Sequence, residues 1–333
     1  MRFGHAKSSR SRRRILEDAR ELTRIHTPVC NLLRIDVPVL QAGMSRYTTP
    51  ELVAAVSNAG GLGIIGGLGR TADELRSEIR QVRELTSRPF GVNHVVCQLD
   101  ADAVEVTLAQ RVPVLSLAWG RAAELTYQAH EAGSKVVHMV ATPEEAGLVA
   151  SDGADVIVAQ GTEGGGHVGM MSTLPLIPMV VDVVGAVPVI AAGGIADGRG
   201  LAAVLMLGAQ GALIGTRFLA TPEARGKGHS KDIILNALGS QTVASRFYDD
   251  VLGKLWPGAV VRTINHPLLE EWGDRPNEWT LAADELRPSL EAALAAGDFV
   301  LAGESAGLVH DIVPAGELVT RIVRQAKALL NPD

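Results

Sequence analysis

Cysteine is scarce: Cys30 and Cys97 are the two in a chain of 333 residues, too few for the disulfide framework of a small secreted domain. A reducing, cytoplasmic setting is expected. Aromatic residues make up 4%, and 31 Lys and Arg are outnumbered by 37 Asp and Glu, leaving a formal net charge of −6. With neither a base-stacking platform nor a broad basic surface, the composition argues against nucleic-acid binding. Long uninterrupted apolar runs are missing too. The longest stretch, Leu174 to Ala196, is broken by Pro175, Pro178, Asp182 and Pro188, so no membrane-spanning helix is expected. There is no Walker sequence, no G-x-S-x-G elbow, no Cys/His cluster with zinc spacing, and no cue beside Cys97 for a thiolate nucleophile. No metal site, solenoid repeat or low-complexity linker is expected.

What is present suits a large folded unit: 47% of residues are hydrophobic and 20% charged, enough apolar surface to offset the entropy of ordering the chain. The first residues carry Arg10, Arg12, Arg13 and Arg14, followed by Ile15-Leu16-Glu17-Asp18 rather than the apolar core of a secretory leader. Residues 1–27 read as a charged, partly helical extension.

From Val37 onward, short runs rich in Val, Ile and Leu alternate with amphipathic stretches, the pattern of βαβ units with buried parallel strands. Eight strands are predicted: Val37 to Gly43, Leu62 to Gly66, Phe90 to Val96, Val112 to Ala118, Val136 to Val140, Val156 to Gln160, Val187 to Ala192 and Ala212 to Phe218. Between them, Thr71 with Glu74 and Thr142 with Glu145 are spaced as capping boxes, and Pro50 and Pro143 sit where a first helical turn tolerates a missing N–H. Gly60, Gly133 and Gly208 read as helix ends. Eight strand–helix units close naturally into a (β/α)₈ TIM barrel, whereas an open sheet would leave edges. The eighth helix is delayed. Residues 221–297, with three of the four Trp, read as an inserted small helical domain shaping the substrate pocket. A periodic helix carrying Leu318, Ile322, Val323, Ala326 and Leu329 then completes the barrel. The barrel itself is expected over 28–220 and 298–333.

A barrel places its active site at the C-terminal ends of its strands, and these endings are glycine-rich. Ala191-Ala192-Gly193-Gly194-Ile195 and Ile214-Gly215-Thr216-Arg217 supply backbone that can approach an anion closely and aim N–H groups at it, and a helix starting near Asp197 adds its positive end. Tight turns at barrel corners are the alternative reading. The sixth strand runs into Gln160-Gly161-Thr162-Glu163-Gly164-Gly165-Gly166-His167-Val168-Gly169, a loop whose glycines are entropically costly. Something must come close to this backbone. A histidine there suits proton transfer because imidazole titrates near neutral pH. His94 and His138 are lesser candidates, and for His138 a buried, hydrogen-bonded side chain is the plainer account. A literal G-x-G-x-x-G at Gly61, Gly63 and Gly66 lacks the strand-then-helix context of a dinucleotide site. It reads as a chance match, with a helix before the glycines and a strand between them.

Together, Pro38-Val39-Leu40-Gln41-Ala42-Gly43-Met44, the segment Pro50 to Gly63, Pro89-Phe90-Gly91-Val92-Asn93, the Gln160 to Gly169 loop and Val189 to Phe218 resemble the nitronate monooxygenase family, formerly the 2-nitropropane dioxygenases. Flavin-dependent enoyl-carrier-protein reductases and NADH:quinone reductases on this scaffold carry similar motifs. The resemblance implies a barrel binding FMN, with Ala42, Gly43 and Met44 beside the isoalloxazine and Asn93 and Gln160 hydrogen-bonded to it. It also puts Gly161, Gly165 and Gly166 close to the cofactor, and Gly193, Gly194, Gly215 and Thr216 around its phosphate. His167 matches the family's active-site histidine. Two positions depart from the usual pattern: Gly43 stands where proline is usual, and Gly164 where alanine is. The implied chemistry is oxidation of an alkyl nitronate or nitroalkane by O2 to a carbonyl compound and nitrite. The rival is an FMN-dependent reductase using NAD(P)H with a quinone or enoyl thioester acceptor. A flavin-free phosphate-binding barrel and a ligand-binding protein without catalysis are the further alternatives. Spacing does not decide whether Trp256, Trp272 and Trp279 line a pocket or a subunit contact, and a homo-oligomer stays open.

Overall fold

A computed structural model describes residues 25–226 and 228–331; the expected basic extension, up to residue 24, lies outside the described residues. Eight parallel strands form one sheet: β1 (Val39–Gln41), β2 (Gly63–Gly66), β3 (Phe90–Val95), β4 (Val114–Ala118), β5 (Lys135–Val140), β6 (Val156–Gln160), β8 (Val189–Ala192) and β9 (Ala212–Ile214). The intervening β7 (Gly166–Val168) belongs to a second sheet with β10 (Thr242–Ser245) and β11 (Val260–Ile264). The large sheet runs in the order β1-β9-β8-β6-β5-β4-β3-β2. A parallel bridge from Leu40 to Leu62, with Gln41 N–H donating to Leu62 O at 2.9 Å, joins its two ends. The sheet is therefore a closed (β/α)₈ barrel without free edges.

The strands are apolar throughout because both of their faces are covered. Inside, Leu40, Leu62, Ile64, Val114, Val137, Val156, Val158 and Ile190 form one packed cluster with Val29, Cys30 and Leu33 of the short helix Pro28–Leu33. Thr27 Oγ1 donates to Gln210 O at 2.6 Å, just before β9, so that helix closes the N-terminal end of the barrel. The C-terminal end is left for the site.

Local chemistry explains the helix boundaries. Thr71 and Glu74 make the reciprocal capping box of helix Ala72–Leu85. At Pro143–Ser151 only half of the expected box forms: Thr142 accepts from Glu145 N, while the Glu145 carboxylate reaches Ala141 N at 2.8 Å instead. The glycines of the G-x-G-x-x-G pattern serve packing: a Cβ on Gly61 would lie 2.5 Å from Val39 O and one on Gly63 2.2 Å from Val53 O. The last predicted strand is shorter than expected. It ends at Ile214, and Thr216–Leu219 forms one helical turn instead. The closing helix Ala315–Leu330 buries Leu318, Val319, Ile322, Val323 and Ala326, with Leu329 outside the stripe at 53% exposure.

Between β9 and that helix, the chain forms helices, the β10–β11 ladder and a hydrophobic cluster of its own, centred on Phe247, Val251, Trp279, Leu290 and Phe299. It is not purely helical. β11 pairs antiparallel with β7, matching His167 with Val261 and Gly166 with Arg262. Part of the glycine loop is therefore a strand, whose partner comes from nearly a hundred residues further on. Among the described residues no helix is long and apolar enough to cross a membrane.

Candidate active site

The glycine-histidine segment leaves the barrel at the end of β6 and crosses its mouth. Gly161 N–H bonds to Ala192 O at 2.9 Å and Thr162 N–H to Met171 O at 2.7 Å. The Glu163 carboxylate then accepts from Thr173 N and from Thr173 Oγ1 at 2.7 Å. This carboxylate supplies the N-terminal partner that Ser172 does not give helix Thr173–Val184. Gly165 is pressed against the returning chain, where an added Cβ would sit 2.5 Å from Gly303 N. Arg262 on β11 fastens the segment from the other side, its Nε donating to Thr162 O at 2.7 Å.

These anchors deliver His167 into an aromatic enclosure. Its ring stacks on Trp256, with centroids 3.4 Å apart and planes 13° from parallel, while Trp119 and Tyr248 meet it edge-on at 6.5 and 6.2 Å. Its Nε2 lies 3.0 and 3.2 Å from the two oxygens of Asp249. Asp249 is 3% exposed. Trp119 holds a left-handed backbone at φ 59°, costly for a bulky aromatic and of a kind that clusters at functional sites. It is locked by Cys97 N–H bonding to its carbonyl at 2.9 Å. A cavity of about 130 Å³ opens beside it, lined among others by Trp119, Met139, Ala141, Leu148 and Gln160.

Asp249, Trp256, Tyr248 and Trp119 were not singled out as catalytic candidates from sequence. Of the other Trp in the inserted segment, Trp279 is core, its Nε1 donating to Asp250 at 3.2 Å, and Trp272 stacks under the Arg275 guanidinium. The two rival histidines are buried and hydrogen-bonded through Nε2. His94 is buried with Nε2 2.8 Å from Thr107 Oγ1, and burial pushes its pKa down to about 4. His138 is 1% exposed, its Nε2 2.9 Å from Gly120 O, and burial lowers its pKa too.

The remaining sequence-predicted residues gather around the same mouth. Ala42, Gly43 and Met44 follow β1; Ala42 N–H bonds to Ile214 O at 3.0 Å and Met44 N–H to Thr48 Oγ1 at 2.9 Å. Gly43 has a local reason to be small, since an added Cβ would meet Asn93 Cβ at 2.7 Å. Asn93 donates to Ser116 Oγ at 3.1 Å, which fixes its amide plane. Gln160 Oε1 is buried with no hydrogen-bond partner among the described residues, a costly state unless a ligand completes it. Gly193 and Gly194 have φ of 99° and 72°, values open to glycine at little cost. One expectation changes: the helix Gly198–Met206 is not free to receive an anion, because Asp197 accepts from Arg199 N and Gly200 N at its N-terminus. The turn Thr216–Leu219 has no such side-chain cap. A Cβ added to Gly215 would make only ordinary van der Waals contact, with Met44 Sδ at 3.7 Å and Ala42 Cβ at 3.8 Å. A short helix after the last barrel strand, with glycine turns on the last two strands, is a recurring barrel phosphate cradle.

The sequence pattern of nitronate monooxygenases matches residues 26–103 and 95–325. Among solved structures, FabK from Thermotoga maritima superposes with a TM-score of 0.83 at 37% identity, covering 92% of this chain and 97% of that one. A nitroalkane oxidase from Streptomyces ansochromogenes gives 0.78 at 31%, covering 90% and 100%. A Mycobacterium tuberculosis protein, (3aS,4S,5R,7aS)-5-hydroxy-7a-methyl-1-oxo-octahydro-1H-indene-4-carboxyl-CoA dehydrogenase, is 44% identical over 204 residues, 60% of this chain. The match spans 58% of that relative's length.

Proposed function

The chain belongs to the nitronate monooxygenase family, and from this premise we propose that it is an FMN-dependent oxidoreductase that oxidises alkyl nitronates with O2 to carbonyl compounds and nitrite. The observation that carries the reading is the unpartnered Gln160 Oε1, on a residue that lines one cavity with Trp119, whose ring in turn meets His167 edge-on. The residues present fit a flavin mononucleotide. Gln160 Oε1 would take a ring N–H, Asn93 would contribute its remaining amide oxygen, and Ala42, Gly43 and Met44 would lie along the ring system. Gly166, with nothing within 4 Å of an added Cβ, leaves room for close backbone approach; Gly161 and Gly165, packed against Thr173 and Gly303, would bring the loop to the cofactor, and Gly193, Gly194, Gly215 and Thr216 would hold the phosphate. Bound there, FMN supplies the redox chemistry, taking electrons from the nitronate and passing them to O2.

The protein's own part is placement, charge and proton handling. A nitronate is an anion and needs a donor, which a protonated His167 provides; a neutral His167 would instead take the proton of a nitroalkane. The wall of Trp119, Trp256 and Tyr248 keeps water from the ring, leaving the His167 side chain 12% exposed. FMN-loaded protein given a small alkyl nitronate in air should release nitrite and the matching carbonyl compound while consuming O2. Nitrite no faster than in a flavin-only control would reject the assignment.

The similarity to FabK and to a carboxyl-CoA dehydrogenase supports a second reading on the same cradle: an FMN-dependent oxidoreductase using NAD(P)H with a quinone or enoyl thioester. Oxidation of NAD(P)H without nitronate, coupled to such an acceptor, distinguishes it.

A further inference from the structure

Building on His167 as the proton-handling group, we propose that Asp249 and Trp256 are positioning residues that fix its tautomer and ring plane, committing Nε2–H to Asp249 and leaving Nδ1 as the atom that exchanges a proton with the substrate. Both come from the segment between β9 and the closing helix. Both act through His167 rather than on the reacting atoms.

Asp249 is 3% exposed, and the only polar partner of its two oxygens among the described residues is His167 Nε2, at 3.0 and 3.2 Å. A carboxylate withdrawn from water is tolerated when a hydrogen is directed at it. An imidazole nitrogen without its hydrogen would place two lone pairs face to face. Nε2 therefore carries its hydrogen whether the ring is neutral or charged, and the exchangeable proton is at Nδ1, for which no polar partner exists among the described residues. Turning the ring about its Cβ–Cγ bond would carry it off Trp256, 13° from parallel at 3.4 Å, and take Nε2 away from Asp249.

The other titratable neighbours do not compete for this role. Burial and the Asp249 charge push the Tyr248 hydroxyl and the Cys97 thiol up, keeping both neutral near pH 7. The Lys254 ammonium lies 5.2 Å from the Tyr248 ring centroid, on the ring rather than on Asp249. Asp250, next in sequence, is engaged with Trp279 and Arg246. Asp249 is thus the carboxylate that sets the charge seen by the imidazole.

Nitrogen-15 NMR of FMN-loaded protein, with the His167 ring signals identified by their loss in His167→Gln, reads the tautomer without any substrate. The expected neutral form has hydrogen on Nε2 and a bare Nδ1. In Asp249→Asn, whose side-chain amide can accept or donate, the neutral form should become a mixture of tautomers. With whichever donor the enzyme turns over, kcat should fall about 10- to 100-fold, with KM little changed. Asp249→Glu should recover the tautomer and part of kcat. A wild-type ring with hydrogen on Nδ1 and a bare Nε2 overturns the proposal, even if neither Asp249 variant folds. So does an Asp249→Asn protein with unchanged tautomer. A protein that shows the expected tautomer but no nitronate turnover would reject the functional reading and leave this one standing.

Discussion

His167→Ala is expected to lower kcat/KM for a nitroalkane by about 10²- to 10⁴-fold, the usual worth of a positioned general acid or base. For a preformed nitronate the loss should be smaller, because no C–H proton then has to be removed, and the difference isolates proton abstraction from anion binding. Alanine also strips Asp249 of its polar partner, so this variant should lose about 1–3 kcal/mol of stability as well. His167→Gln separates the two effects, since its amide can still donate to Asp249. It should regain the stability and not the rate toward the neutral nitroalkane. Full turnover of every donor by both variants would remove His167 from the chemistry.

Gly215→Val should abolish tight flavin binding with little effect on the apoprotein. The backbone there has φ −106°, so a side chain brings no left-handed strain, and the nearest atoms to an added Cβ are 3.7 Å or more away. The proposed phosphate site lies against this residue. The branched side chain would stand in front of the Gly215 and Thr216 N–H groups, and an FMN affinity at least 100-fold weaker is expected, about 2.7 kcal/mol. Gly193 is a poorer test. A Cβ on it would lie 2.8 Å from Gly161 O in a left-handed position, so it would disturb the mouth even without cofactor. Unchanged FMN affinity in a folded Gly215→Val protein would move the phosphate elsewhere.

The barrel was legible in the sequence because a strand buried on both faces has to be apolar along its whole length, and because helices declare their ends through Thr71, Pro50 and Gly60. Boundaries were less so. Phe218 and Leu219 are buried in a helical turn, and a short buried helix carries the same apolar letters as a strand. His167 could be found because a glycine-rich run at a strand end marks close backbone approach, although part of that approach is the protein's own: Thr173 crowds Gly161 and Gly303 crowds Gly165. Asp249 could not. It lies 82 residues from His167 and beside Asp250, which is a structural partner of Trp279; nothing local tells the two carboxylates apart. Trp256 was visible as a residue but not as a stacking partner, since the β7–β11 pairing that brings it near depends on three-residue and five-residue strands with no signature of their own.

The central claim is that this barrel holds FMN and lets a nitronate reduce it at the His167 site. The most direct test is to mix FMN-loaded protein anaerobically with a small alkyl nitronate and follow the visible spectrum. Loss of the oxidised flavin absorbance, restored on admitting air with release of nitrite, is the predicted result. An oxidised spectrum that nitronate leaves unchanged and NADH or NADPH bleaches would contradict it, and would assign the same cradle to a nicotinamide-dependent reductase.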